Sequence, residues 1–275
     1  MNEEKAIHLF PEKKQIDHMK LISRLEKPKG KVDVILDTDT YNEIDDQFAL
    51  AYLIKSEDRL NLQAVYAAPF YNHHSSGPGD GMEKSYHEIL KVLDLMGRQE
   101  YKEVTYRGST AYLSGEEEAV DSPAARDLVR RAMERREDEP LYVVAIGAIT
   151  NIASAILMEP KIIDRIVVVW LGGNALDWHD NYEFNLYQDV AAARIIFGCG
   201  VPLVQLPCMG VVSAFTTTGP ELTYWLKGKN ALCDYLLENT VNEAALTGQG
   251  KCWSRAIWDV TAVAWLLDEK FMFER

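Results

Sequence analysis

The residues best placed to do chemistry stand in one short stretch, Asp37-Thr38-Asp39-Thr40-Tyr41-Asn42-Glu43-Ile44-Asp45-Asp46. Asp37, Asp39, Asp45 and Asp46 are so crowded that their charges repel unless protons or a cation neutralise them. A hard divalent ion is the simplest answer. The donors are all oxygen and no Cys or His stands nearby, which favours Ca²⁺ or Mg²⁺ over zinc. Structural duties compete for the same side chains. An Asp is a preferred helix N-cap, and Asp37, at a strand end, is equally suited to tying down loop amides.

The flanking residues set the position of this stretch. Val32 to Leu36 is an apolar β-branched run with the signature of a buried strand, and Ile44, Phe48, Ala51 and Tyr52 begin a helical pattern. In open α/β sheets ligands gather outside the carboxyl ends of the strands, where the carboxylates fall. Downstream, strands are expected at Leu60–Ala68, Glu103–Arg107, Leu141–Gly147, Ile163–Leu171 and Val201–Leu206. Helices are expected at Glu83–Met96, Pro123–Arg136, from Ala148 to Pro160, and at Asp189–Phe197, Pro220–Ala245 and Ala256–Leu267. Strands that are apolar on both faces and alternate with helices predict an α/β fold, a doubly wound, mainly parallel open sheet with helices on both faces. Residues 1–31 read as an appended N-terminal helical arm and 32–275 as the α/β domain.

Three further stretches are rich in polar chemistry. The loop 70–81, too dense in Gly and Ser for regular structure, carries His73 and His74. The strand ending at Leu171 runs into Gly172-Gly173-Asn174, followed by Asp177-Trp178-His179-Asp180-Asn181-Tyr182-Glu183-Phe184-Asn185. In the apolar helix near the C-terminus, Asp259 is costly if buried unpaired, and a metal would serve as its partner.

Taken in order, these blocks resemble the nucleoside hydrolase family, which cleaves the N-glycosidic bond of ribonucleosides. The matching blocks are Asp37-Thr38-Asp39 with Asp45-Asp46; Ile149-Thr150-Asn151-Ile152-Ala153; Gly172-Gly173 leading to Glu183-Phe184-Asn185 and Asp189; and Trp258-Asp259-Val260. The resemblance implies a Ca²⁺ held by Asp39, Asp46 and Asp259 with the Thr150 carbonyl, and Asp45, Glu183 and Asn185 on the ribose, with Asn174 a candidate for a further ribose contact beside Asp177 and Asn181. It implies attack by a metal-bound water activated by Asp39, through an oxocarbenium-like transition state that negative groups stabilise. Where inosine-uridine-preferring members carry a His before the last metal Asp, this chain has Trp258. That resembles purine-preferring members, in which an indole stacks on the base; the competing reading is a core aromatic. Any leaving-group acid would have to come from His179, His73 or His74. The chain also departs from the family in a metal loop two residues longer, in the added arm and in ending soon after Leu267.

Two alternatives stand beside this reading. One is a nucleoside or ribose binder without turnover. The other is a haloacid dehalogenase-type phosphatase with Asp37 as nucleophile and Asp39 as acid, which would need a later Lys and acidic pair where the strands here end in Gly147, Gly173 and Pro207.

Composition narrows the partners. A net charge of −13 over 275 residues, with no basic stripe, argues against a nucleic-acid polymer and leaves a small-molecule nucleoside substrate open. No signal peptide or membrane span is evident, so a cytoplasmic protein in purine salvage is expected. Cys199, Cys208, Cys233 and Cys252 lack zinc-type spacing and read as reduced packing residues. Family members are often dimers or tetramers, so the resemblance is compatible with a homo-oligomer, and no sequence feature decides the matter.

Overall fold

The computed structural model describes residues 18–136, 138–246 and 252–267. Residues 1–17 of the expected arm lie outside these, and the rest of the arm carries helix α1 (His18–Leu25). Six strands follow: β1 (Val32–Thr38), β2 (Leu60–Ala67), β3 (Thr105–Arg107), β4 (Leu141–Ala145), β5 (Ile166–Leu171) and β6 (Leu203–Leu206). They form one sheet in the order β3-β2-β1-β4-β5-β6 with every pairing parallel. Between them run α2 (Asp46–Lys55), α3 (Pro78–Met96), α4 (Pro123–Met133), α5 (Thr150–Met158), α6 (Phe184–Gln188) and α7 (Val190–Gly198).

The period-2 geometry of β1 divides its side chains between two cores. Val34 and Leu36 pack with Leu50 and Leu53 of α2 and Ile89 and Leu93 of α3. Ile35 faces the other way, with Leu128 of α4, Ile152 of α5 and Ile195 of α7. Both faces of the central strands are therefore covered, which is why β4, β5 and the Val34–Leu36 centre of β1 read as continuous apolar runs.

Several boundaries move from their expected places, each for a local reason. The helix expected near Ile44 starts at Asp46. Helix α3 takes in residues 78–81, expected as loop, because Pro78 at its first turn presets φ and lacks only an amide that would go unbonded there. Gly81 fits that turn because a Cβ would lie 2.0 Å from the Phe70 carbonyl oxygen. Two 3₁₀ turns, Gln99–Val104 and Pro160–Asp164, claim the first residues of the expected third and fifth strands. The long C-terminal helical segment is two helices, α8 (Gly219–Leu226) and α9 (Ala231–Leu246), separated by Gly228 at φ +70°.

The largest departure lies at the last helix, which is only α10 (Val260–Leu266). Ser254–Ala256 forms a strand, β8, antiparallel to β7 (Thr216–Thr218). Trp258 and Asp259 thus sit between a strand and a helix instead of inside a helix. Among the described residues no helix is long and apolar enough to cross a membrane.

Candidate active site

The order of strands places a switch point between β1 and β4: the chain moves outward from β1 through β2 to β3, and outward from β4 through β5 to β6 in the opposite direction. The crevice at the carboxyl ends there is the usual ligand position in such sheets. The loops after β1, β4 and β5 deliver Asp39 to Asp46, Gly147 to Thr150, and Gly172 to Asn174.

After β1 the chain turns sharply, with the Asn42 amide donating to the Asp39 carbonyl at 2.7 Å. The longer loop is accommodated outward: Tyr41 and Glu43 are exposed, while Asn42, Asp45 and Asp46 are buried. Asp45 flanks the start of α2, its carbonyl taking the Ala49 amide. The Thr38 hydroxyl donates to Asp46 Oδ1 at 2.5 Å. From the far end of the sequence, the Asp259 amide donates to Asp45 Oδ2 at 3.3 Å.

Asp45, Asp46 and Asp259 each offer an oxygen within 4.8 Å of the others. The carboxyls of Asp46 and Asp259 lie close enough for each to perturb the ionisation of the other. Asp39 lies close enough to feel the charge of Asp46. It is wholly buried, and neither carboxylate oxygen has a hydrogen-bond partner. Asp45 Oδ1 is likewise unpartnered. Gly147 permits this approach, since a Cβ at that position would stand 3.0 Å from Asp39 Cγ.

The electrostatics follow from burial and like charge. Burial, then the charge of Asp46, pushes Asp39 well above the ordinary carboxylate range. Burial, then Glu43 and Asp46, lifts Asp45 to about 7. Burial lifts Asp46 to about 6 against the opposing Thr38 hydrogen bond. Burial, then Asp45 and Asp46, drives Asp259 well above its usual value. Buried acceptors without donors and carboxyls that resist ionisation are what an all-oxygen cation site looks like before the cation is counted. These residues fit a hard divalent ion. Asp45, expected on the sugar, shares the cluster with the expected ligands Asp46 and Asp259.

A cavity of about 240 Å³ opens beside this cluster. Asp45, Asn174, Glu183, Asn185, Trp258 and Asp259 all line it, so one chamber gathers residues from four separate stretches of sequence. Glu183 caps α6: its carboxylate accepts from the amides of Asn185 and Leu186 at 3.0 Å and of Gly173 at 2.7 Å. Asn185 donates to the Leu171 carbonyl at 3.0 Å. Asn174 Oδ1 accepts from the Met209 amide, and Asn181 Oδ1 in turn accepts from the Asn174 amide. Asn174 is thus the Asn on the cavity wall, with Asn181 behind it. Trp258 is half-buried, lining the cavity while packing on the core.

Other expected residues lie outside the chamber lining. Asp37 accepts from Asn151 Nδ2 at 2.9 Å, and burial pushes it up to about 8; like Asp39, it lies behind the cavity lining, but its carboxylate is engaged by Asn151 where both oxygens of Asp39 are unpartnered. The Thr150 hydroxyl is committed to Asp189 Oδ2 at 2.7 Å. His73, His74 and His179 do not line the cavity. His179 is exposed and pairs with Asp180 at 2.9 Å. Asn42, Tyr182, Cys208 and Met209 line the chamber without having been singled out from sequence. Cys208, taken for packing, lines the chamber next to Glu183. Its place just after β6, at a strand's carboxyl end, was the available signal. A larger cleft of about 940 Å³ lies at the opposite, amino-terminal end of the strands, between α1 and the start of β4, lined by mixed charges such as Lys20, Arg135 and Asp138.

Comparison with known proteins agrees with this architecture. A pyrimidine-specific ribonucleoside hydrolase, RihA of Escherichia coli, is 26% identical over 196 residues, covering 62% of this chain and 58% of that protein. The chain therefore matches little more than half the length of that curated relative. A purine-preferring ribonucleoside hydrolase from Gardnerella vaginalis has a similar fold, with a TM-score of 0.70 at 24% identity, over 88% of this chain and 81% of that one. An inosine-guanosine nucleoside hydrolase superposes with a TM-score of 0.68 at 18% identity, over 88% and 80% of the two chains. With residues 34–275 matching the model of the inosine-uridine preferring nucleoside hydrolase family, over a switch-point crevice built from that family's acidic blocks, the chain belongs to that family.

Proposed function

We propose that this protein is an N-glycosyl hydrolase that cleaves ribonucleosides, purine nucleosides foremost, with Ca²⁺ as cofactor. The observation that carries the reading is the pair of unpartnered carboxylate oxygens on wholly buried Asp39, beside the Asp45-Asp46-Asp259 cluster, two of whose members line a chamber with sugar-type donors and acceptors. Asp39, Asp46 and Asp259, with the Thr150 carbonyl, would hold the ion, and Asp45 is near enough to share it. Bound there, a divalent cation supplies the positive charge that anchors ribose hydroxyls and lowers the pKa of water.

The chain's own groups account for the rest. Asp39, with both oxygens free of hydrogen bonds, is placed to take a proton from the attacking water. Asp45, Asn174, Glu183 and Asn185 offer the carboxylates and amides that hold ribose hydroxyls, and their negative charge favours the cationic sugar of the transition state. Trp258 presents an aromatic face on which a purine can stack while it gathers protonation. Among the described residues no histidine lines the chamber, and water is the proton source for the departing base that this reading needs. Four free cysteines suit a reducing, cytoplasmic setting in purine salvage.

Release of free ribose from inosine, adenosine, guanosine, uridine and cytidine, with chelator and with restored Ca²⁺, tests the reading. Chelator-sensitive turnover led by inosine and guanosine is expected. Turnover led by uridine and cytidine would replace the purine assignment with a pyrimidine one. Tight nucleoside binding without ribose release would overturn the hydrolase.

A further inference from the structure

Apart from the carboxylate cluster, a second group of described side chains is disposed to hold a metal: His73, His74 and Glu243 each offer a donor atom within 4.8 Å of the others. They come from two elements, the loop between β2 and α3 and the helix α9. His74 Nε2 stands 3.8 Å from Glu243 Oε2. The His73 and His74 rings lie side by side, centroids 3.8 Å apart.

The loop backbone is already held in position. The His74 amide donates to Asn72 Oδ1 at 2.8 Å, and Lys84 Nζ donates to the His74 carbonyl at 2.7 Å.

We propose that His73, His74 and Glu243 bind a divalent transition metal of the zinc type, separate from the oxygen-only site. Two imidazole nitrogens and one carboxylate oxygen are the donors zinc favours and calcium does not. Three protein donors leave a fourth position for water. Tetrahedral bonds of about 2.0–2.1 Å set donors about 3.4 Å apart; the His74–Glu243 pair is near that spacing, and the exposed His73 ring has room to turn inward.

The site has a path to the substrate chamber. Asn72 Nδ2 donates to Asn42 Oδ1 at 2.7 Å, and Asn42 lines the chamber. An ion fixing the loop to α9 therefore also fixes the residue that supports one chamber wall.

The test is calorimetric titration of Zn²⁺ into the full-length protein in a buffer saturated with Ca²⁺, which needs no turnover and so stands or falls apart from the hydrolase reading. One Zn²⁺ per chain is expected, undisplaced by further Ca²⁺. His73→Ala and Glu243→Gln should each weaken it by roughly tenfold or more, with circular dichroism confirming an intact fold. Asp46→Asn, in the other site, should leave Zn²⁺ affinity unchanged. No Zn²⁺ uptake by the wild type, or uptake that both His73→Ala and Glu243→Gln retain, would overturn the site, the latter assigning the metal to thiols such as Cys233 and Cys252.

Discussion

In protein stripped of divalent cations, raising the pH from 5 to 8 should destabilise the fold, and Ca²⁺ should cancel much of the effect. A carboxyl whose folded pKa is raised above its unfolded value binds more protons when folded, so it carries no penalty below about pH 4 and its full penalty above the folded value. For Asp46 the gap runs from 3.8 to about 6. At about 1.4 kcal/mol per pH unit, that is about 3 kcal/mol lost by neutral pH. Asp45, lifted to about 7, extends the window upward. About half of the Asp46 share is already lost at pH 5, leaving about 1.4 kcal/mol between pH 5 and 8; at about 2–4 °C per kcal/mol in a chain of this size, a fall of about 3–6 °C is expected from Asp46. The assay is thermal unfolding at pH 5, 6, 7 and 8, in chelator and in millimolar Ca²⁺. Asp37, also raised but apart from the cluster, adds a slope that Ca²⁺ does not reverse, and Asp46→Asn in chelator separates the two by flattening only the cluster's share. A midpoint in chelator that stays level or rises between pH 5 and 8, or one at pH 8 indifferent to Ca²⁺, would refute the reasoning.

Three further outcomes follow from the same geometry. Asp39→Asn should lower kcat by about 10²–10⁴-fold while melting no lower than wild type in chelator at pH 8, because a buried unpartnered charge is removed; an unchanged kcat would remove Asp39 as the base. Trp258→Ala should reduce kcat/KM for inosine by roughly tenfold more than for uridine, and equal losses would leave stacking without support. Gly147→Ala places a methyl 3.0 Å from Asp39 Cγ and 3.2 Å from Ala68 Cβ, so calorimetry should show weakened Ca²⁺ binding and about 1–3 kcal/mol of lost stability; wild-type Ca²⁺ affinity would show that Asp39 is not a ligand.

What could be read from the sequence was what local patterns determine. Val34 to Leu36 announces a doubly covered strand because successive residues must be apolar when both faces are buried. The carboxylates after it announce a site because nothing in the stretch neutralises them. What escaped were features decided by partners far along the chain. The β7–β8 pair joins three-residue strands too short to carry a period, and its formation displaces Trp258 and Asp259 from the expected helix. The place of Asp45 depends on the Asp259 amide, and that of Cys208 on the chamber wall it shares with Glu183; neither leaves a mark in local spacing. The first turn of helix α3, ahead of the expected Glu83–Met96, was hidden because Pro78 and Gly81 read as loop residues, whereas one starts the helix and the other lets it pass under Phe70.

The hydrogen bond between Asp45 and Asp259 spans 214 positions, and this orders events as the chain is made. At about 5–20 residues per second on the ribosome, Asp45 waits on the order of 10–40 s before Asp259 has been polymerised. During that interval strands β1 to β6 are available to assemble, but the carboxylate cluster lacks one wall and stays open to water and protons. Competence to capture a cation, and any activity that depends on it, therefore arrives as a late step of biosynthesis, and a translation product arrested before α10 would fold much of its sheet without ever acquiring a complete acidic cluster.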